Sequence, residues 1–235
     1  MKYKSQAISL TYIKNGDSSI ISKILTKEKG LQAFIVKGVR SKKSKKKLSY
    51  FEPLRLLNID ADFNARKSLQ YLGDATIAVN FDNMKNKMNN SFIRFFIAEI
   101  SSKVVQENEQ NKMLFDFIWK ASNELYSSKI TDPNFALKYL INLSRFLGFY
   151  PSEIEIKKPF FDLESGVFSD KITSFSPFLN KQKTTYLKAL INNERILIPQ
   201  KQKSELLKEL LCYYKLHHYN LDGITSHLVI EALRS

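Results

Sequence analysis

The sequence predicts an α+β protein in which a small five-stranded barrel leads an α-helical domain, and three observations predict it. Apolar residues recur with period two up to about residue 80 and with helical period from about residue 89. Turn residues Asn15, Gly16 and Asp17, then Lys29 and Gly30, separate the first alternating segments closely enough for antiparallel neighbours. Between Lys37 and Lys47 the chain reads KGVRSKKSKKK, seven cations in eleven residues, slung between two strand-like segments.

The strands read in order as SQAISLTYIK, SSIISKILTKE, LQAFIVKG, PLRLLNIDAD and SLQYLGDATIAV. Five antiparallel strands in so short a span close most easily as a barrel, and the OB-fold is the commonest such barrel that binds single strands; SH3-like barrels share the pattern. Helical spacing then places Ile93, Phe96, Ile97, Ile100 and Val104 on one face of a first helix, and Leu114, Ile118, Ala121 and Leu125 on a second. Asp132 and Pro133 are start signals for a third helix running to Gly148, with Leu137, Leu140, Ile141 and Leu147 as its apolar stripe. Residues 150 to 182 lose that regularity and read as a hairpin or irregular insertion. Helical spacing returns over Thr184 to Asn192 and Gln202 to His218, and a short last helix is expected from Asp222 to Leu233. The expected domains are residues 1–80 as an OB-fold nucleic-acid-binding domain and 81–235 as an α-helical domain, with 155–180 as its insertion.

Composition narrows the function. At 235 residues and 43% hydrophobic, the chain can bury a substantial core. The single Cys212 excludes an internal disulfide and a cysteine zinc site. The start, MKYKSQAISLTYIK, has no apolar stretch long enough for a signal peptide, and no segment approaches the ~18 apolar residues of a membrane span, so a cytoplasmic protein is expected. Residues 1 to 80 hold 16 Lys and Arg against 6 Asp and Glu, so 10 of the formal net +14 sit in the first third. Charge concentrated in this way implies a polyanionic partner, because each cation that meets a phosphate releases a condensed counterion. Nucleic acid fits better than an anionic membrane, since the segments beside the run alternate as strands rather than forming an amphipathic helix. The expected DNA-binding residues are Lys37, Arg40, Lys42, Lys43, Lys45, Lys46 and Lys47, with Tyr50 beside the run as a possible stacking ring, because bases stack on rings while ammonium groups track the backbone. Phe51 is its neighbour, and alternate pointing allows only one of the two to face the groove. A lysine-rich loop can also merely keep a surface soluble.

Enzymatic chemistry has little support. Asp60 and Asp62 alternate on one strand face, as a metal-dependent nuclease would need, but no third acid or His is near them in sequence. His217 and His218 are adjacent on a helix and diverge by about a hundred degrees. His227 lies elsewhere, and Cys212 sits among Leu210, Leu211 and Tyr213 as a small core residue would. No Gly-rich phosphate loop is present, and no cofactor or metal is expected.

Three stretches carry a family resemblance. ILTKEKG (Ile24 to Gly30) and KGVRSKKS (Lys37 to Ser44) resemble the strand, T-x-x-x-G turn, strand, K-G-x-R-x-x-x-S pattern of the RecO recombination mediators, and LKYLINLSRFLGFYP (Leu137 to Pro151) resembles that family's third helix. Many members carry a four-cysteine zinc site in the insertion, whereas KKPFFDLESGVFSD has no cysteine; the hairpin is expected to hold by packing Phe160, Phe161 and Val167, without touching the functional assignment. The resemblance implies a non-catalytic, nucleoid-associated DNA repair mediator that binds single-stranded and double-stranded DNA and anneals complementary strands. With the partner RecR it would load recombinase onto DNA coated by single-strand-binding protein. It also implies capture of that protein's C-terminal tail on the helical domain, with Lys138 and, two turns on, Arg145 as the cations. The alternatives from the residues are an RNA-binding OB-fold protein and, from another class, a nuclease using Asp60 and Asp62.

Overall fold

The computed structural model describes residues 1–41, 47–79, 87–128, 131–172, 176–224 and 226. They belong to two compact units, Met1–Thr131 and Asp132–Ser235. In the first, β1 (Lys2–Asn15), β2 (Ser19–Thr26), β3 (Gly30–Val36), β4 (Leu56–Asp62) and β5 (Leu69–Ile77) close into a barrel in the order β1-β2-β3-β5-β4. Every pairing is antiparallel except β3 with β5, because β4 crosses to pair with β1 and leaves β5 to seal the gap. This is the expected OB-fold.

Inward residues Ala7, Ile20, Ile24, Phe34, Val36, Leu57, Ile59 and Leu72 fill the barrel, joined by Val39 and Phe51 from the β3–β4 connection. The middle of β1 abandons alternation: Ala7, Ile8, Ser9 and Leu10 are all buried. The reason is that α1 (Lys87–Val104) packs on β1 and α2 (Lys112–Ser127) on β4, so that part of the wall is covered on both sides. The first unit therefore extends past the barrel to take in both helices.

The Thr26–Gly30 turn is the seam between barrel and helices. Thr26 Oγ1 accepts from the Lys29 N–H and donates to the Gly30 carbonyl, both at 3.0 Å, which closes the turn on itself and explains a Thr four residues before a Gly. Beyond it, the Asn108 N–H donates to the Leu31 carbonyl at 3.1 Å and Gln32 Nε2 reaches Asn108 Oδ1 at 3.1 Å, while Lys27 pairs with Asp116 of α2 at 3.1 Å.

In the second unit, α3 (Phe135–Phe146) starts two residues later than expected. Asp132 Oδ1 accepts from the Asn134 N–H at 2.8 Å, and the Phe135 N–H donates to the Asp132 carbonyl, so Asp132 heads a lead-in turn and Pro133 lies inside it. The insertion is a small sheet, ordered β7-β6-β8, of β6 (Phe160–Asp162), β7 (Val167–Ser169) and β8 (Phe178–Leu179). Its packing corrects one expectation. Phe161 pairs in register with Phe168, so these two share the buried face with Leu163 and Leu179, whereas Val167 is exposed and Phe160 lies beneath the Lys181 ammonium at 5.8 Å. Tyr213 of α5 (Gln200–Leu216) lies edge-on to Phe161 at 5.6 Å, and α4 (Lys181–Ile191) packs on β6 and β8. The apolar face thus holds the small sheet against α4 and α5. His217 caps α5 and stacks flat on Phe149 at 4.7 Å; burial and the neighbouring His218 push its pKa down. His227 and most of the expected last helix lie outside the described residues.

Candidate nucleic-acid interface

The basic run joins β3 to β4, and its two ends are fixed. At the entry, Gly38 turns through φ +69°, Val39 drops into the barrel core, and Arg40 reaches the β1–β2 turn twice: its N–H donates to Ser18 O and its guanidinium to Gly16 O, each at 3.0 Å. This accounts for K-G-x-R locally, since the glycine supplies the positive φ that aims the arginine. At the exit, Phe51 is buried in the core, Tyr126 of α2 donates to Pro53 O at 3.0 Å, and the Leu54 N–H donates to Ser9 O at 2.8 Å. The Ser122 hydroxyl closes on Leu54 O.

Lys37, Arg40 and Lys47 are exposed, and Arg40 keeps guanidinium donors beyond the one given to Gly16. Lys42, Lys43, Lys45 and Lys46 lie outside the described residues. Tyr50 is partly buried against the barrel core. Phe34 and Phe51, the other rings nearest the run in sequence, are wholly interior.

The exposed ring that sequence reasoning missed is Tyr71. On the outer barrel wall the register runs Ile13–Ile21–Ile35–Tyr71 across β1, β2, β3 and β5. Ile13 is 65% exposed and Tyr71 45%, with Ile21 and Ile35 half-buried between them. The row borders the basic run at β3, because Ile35 precedes Lys37 by two residues on the same strand face. Among the described residues no ring or cation stacks on Tyr71. The signal was present in the alternation of SLQYLGD, but Gln70 is the inward residue. Its amide donates to Asn64 O and Lys67 O and accepts from the Asn64 N–H, so a polar side chain stands where an outward one would be assumed.

The opposite wall has another character. Lys4, Asp60 and Asp74 lie in register across β1, β4 and β5, as do Gln6, Asn58 and Thr76. They line an open groove of about 660 Å³ with Lys27 and Glu28. Lys4 sits 3.7 Å from Asp60, where it competes with any cation, and Asp62 lies opposite Tyr71 rather than in the groove. Among the described residues no three His, Cys, Asp or Glu side chains are grouped to hold a metal ion.

On α3, Lys138 and Arg145 share a face but both are engaged. Lys138 is 22% exposed and pairs with Asp132 at 2.8 Å. Burial opposes the Asp132 charge, yet the Lys138 ammonium and the Asn134 N–H outweigh it and hold the carboxyl below its ordinary range. Arg145 stacks on Tyr150 at 3.9 Å and lies 4.0 Å from Glu153.

A closed OB barrel with a clamped basic connection, followed by a helical unit, defines a two-part protein of the OB-fold class. The family signature described as "Recombination protein O N terminal" matches residues 1–81, and "Recombination protein O C terminal" matches residues 87–220. The chain is 32% identical to the "DNA repair protein RecO" of Flavobacterium psychrophilum over all of this chain and 98% of the relative, and 30% identical to that of Flavobacterium johnsoniae over the same shares. The counterpart in Azobacteroides pseudotrichonymphae is 27% identical over 99% of each chain. The chain belongs to the RecO family.

Proposed function

We propose that the protein is a non-catalytic DNA repair and recombination mediator that binds single-stranded DNA, anneals complementary strands and, with RecR, helps load recombinase onto DNA coated by single-strand-binding protein. The observation that carries this reading is the basic run held at both ends on an OB barrel, with its entry cation pinned to the β1–β2 turn by Arg40. Annealing brings two polyanions together, and cations displayed at a fixed place screen that repulsion without reading bases. In an annealing assay with complementary oligonucleotides, the protein is expected to accelerate duplex formation on bare strands and on strands coated with single-strand-binding protein. Acceleration on neither would overturn the reading.

Capture of the acidic tail of single-strand-binding protein is assigned to Lys138, with Arg145 seven residues on. An incoming carboxylate would replace Asp132 as the partner of Lys138, an exchange of like for like. Lys138→Glu is expected to abolish tail-peptide binding in fluorescence anisotropy, and Asp132→Asn, which frees the ammonium, to strengthen it. Unchanged binding in both variants would remove this assignment.

A further inference from the structure

The geometry points to the Ile13–Ile21–Ile35–Tyr71 row as a base-contacting platform that makes this surface prefer single strands to duplex, with Tyr71 as the stacking residue. The inference rests on the DNA-binding reading above and adds what the lysines cannot supply. Ammonium groups meet phosphates, which single strands and duplexes both present, so the basic run alone favours neither form. Duplex bases hide their faces in the stack, whereas single-stranded bases offer theirs to an apolar surface.

The row has the properties such a platform needs. Four adjacent strands contribute one apolar side chain each in continuous register, with a half-exposed aromatic ring at one end. At ~4.8 Å between strands the row spans roughly 14 Å, long enough to contact more than one base. Lys37, two residues past Ile35, borders it where the phosphates of a strand laid along the row would run, and Lys23 lies on the same face two residues from Ile21, where it pairs with Glu107 at 3.0 Å. Asp62, directly across from Tyr71 on β4, marks the far boundary by repelling phosphate. The Lys4–Asp60–Asp74 row on the other wall has acids and no aromatic ring, so among the described residues it is the Tyr71 wall that combines apolar contact with flanking positive charge.

The test measures the affinity of the full chain for a labelled oligothymidine and for a duplex of equal length across a salt series, comparing Tyr71→Ala, Tyr71→Phe, Ile13→Ser and a Lys37→Ala/Lys47→Ala variant. Tyr71→Ala is expected to weaken single-strand binding about tenfold, with the salt slope and duplex affinity unchanged; Ile13→Ser weakens it less, and Tyr71→Phe restores wild-type binding. The lysine variant should flatten the slope for both forms. If Tyr71→Ala binds the oligothymidine like wild type while the lysine variant is weakened, the platform is overturned and the DNA-binding reading stands. Equal losses on single strand and duplex would also overturn it. If neither Tyr71→Ala nor the lysine variant alters binding, both fall.

Discussion

Replacing Lys42, Lys43, Lys45, Lys46 and Lys47 with alanine is expected to remove most of the salt dependence of single-strand binding. If all seven cations of the run meet phosphates, the slope of log affinity against log salt approaches about −5, and deleting five of them brings it near −1.4. Between about 50 and 200 mM salt, wild-type affinity then falls on the order of a thousandfold and that of the variant by less than about tenfold. The fold should survive, because the anchors of the connection are other groups: Val39 and Phe51 in the core, and Arg40 on the β1–β2 turn. Anisotropy titrations at several salt concentrations measure the slope. A variant as salt-sensitive as the wild type would return the run to a solubilising role. Arg40 is a poorer test of phosphate contact, since its alanine variant also releases the entry anchor.

The residues that define the fold announce themselves by period, because burial on one face imposes an alternation of two on strands and about 3.6 on helices. All five barrel strands and the main helices follow from that rule. What escaped it was set by long-range contact. The buried run Ala7 to Leu10 is comprehensible only once α1 covers the outside of β1. Gln70 and Tyr71 exchange the faces their polarity suggests, because the Gln70 amide satisfies the β4–β5 loop from inside. In the insertion, Val167 and Phe168 are both apolar, and only the register with Phe161 decides which is buried. Of the candidate interface, the cations were legible as a charge run, since a cluster of like charges needs no partner to be seen. The proposed stacking ring was not: Phe34 and Phe51 flank the run in sequence yet point into the barrel, and the exposed Tyr71 comes from a strand some twenty residues further along.

The RecO-like turn motif makes a second strong prediction. Gly30→Ala is expected to destabilise the first unit by about 3–5 kcal/mol, among the largest costs a single substitution imposes. Two effects add. Gly30 sits at φ +66°, where a β-carbon costs about 1–2 kcal/mol. That carbon would also lie 2.1 Å from the Glu109 carbonyl oxygen and 2.7 Å from its carbon, both backbone atoms with little room to move. Relieving the overlap means pulling residues 107–109 off β3, which breaks the Asn108 bond to Leu31 and the Gln32 contact with Asn108. Gly38→Ala is the control that separates the two effects. It has nearly the same conformation, φ +69°, but no atom within 4 Å of the added carbon, so it should lose only the conformational part, about 1–2 kcal/mol. Urea unfolding of both variants measures the difference. Equal losses would mean that the close approach of the α1–α2 connection to Gly30 contributes nothing to why a glycine stands there.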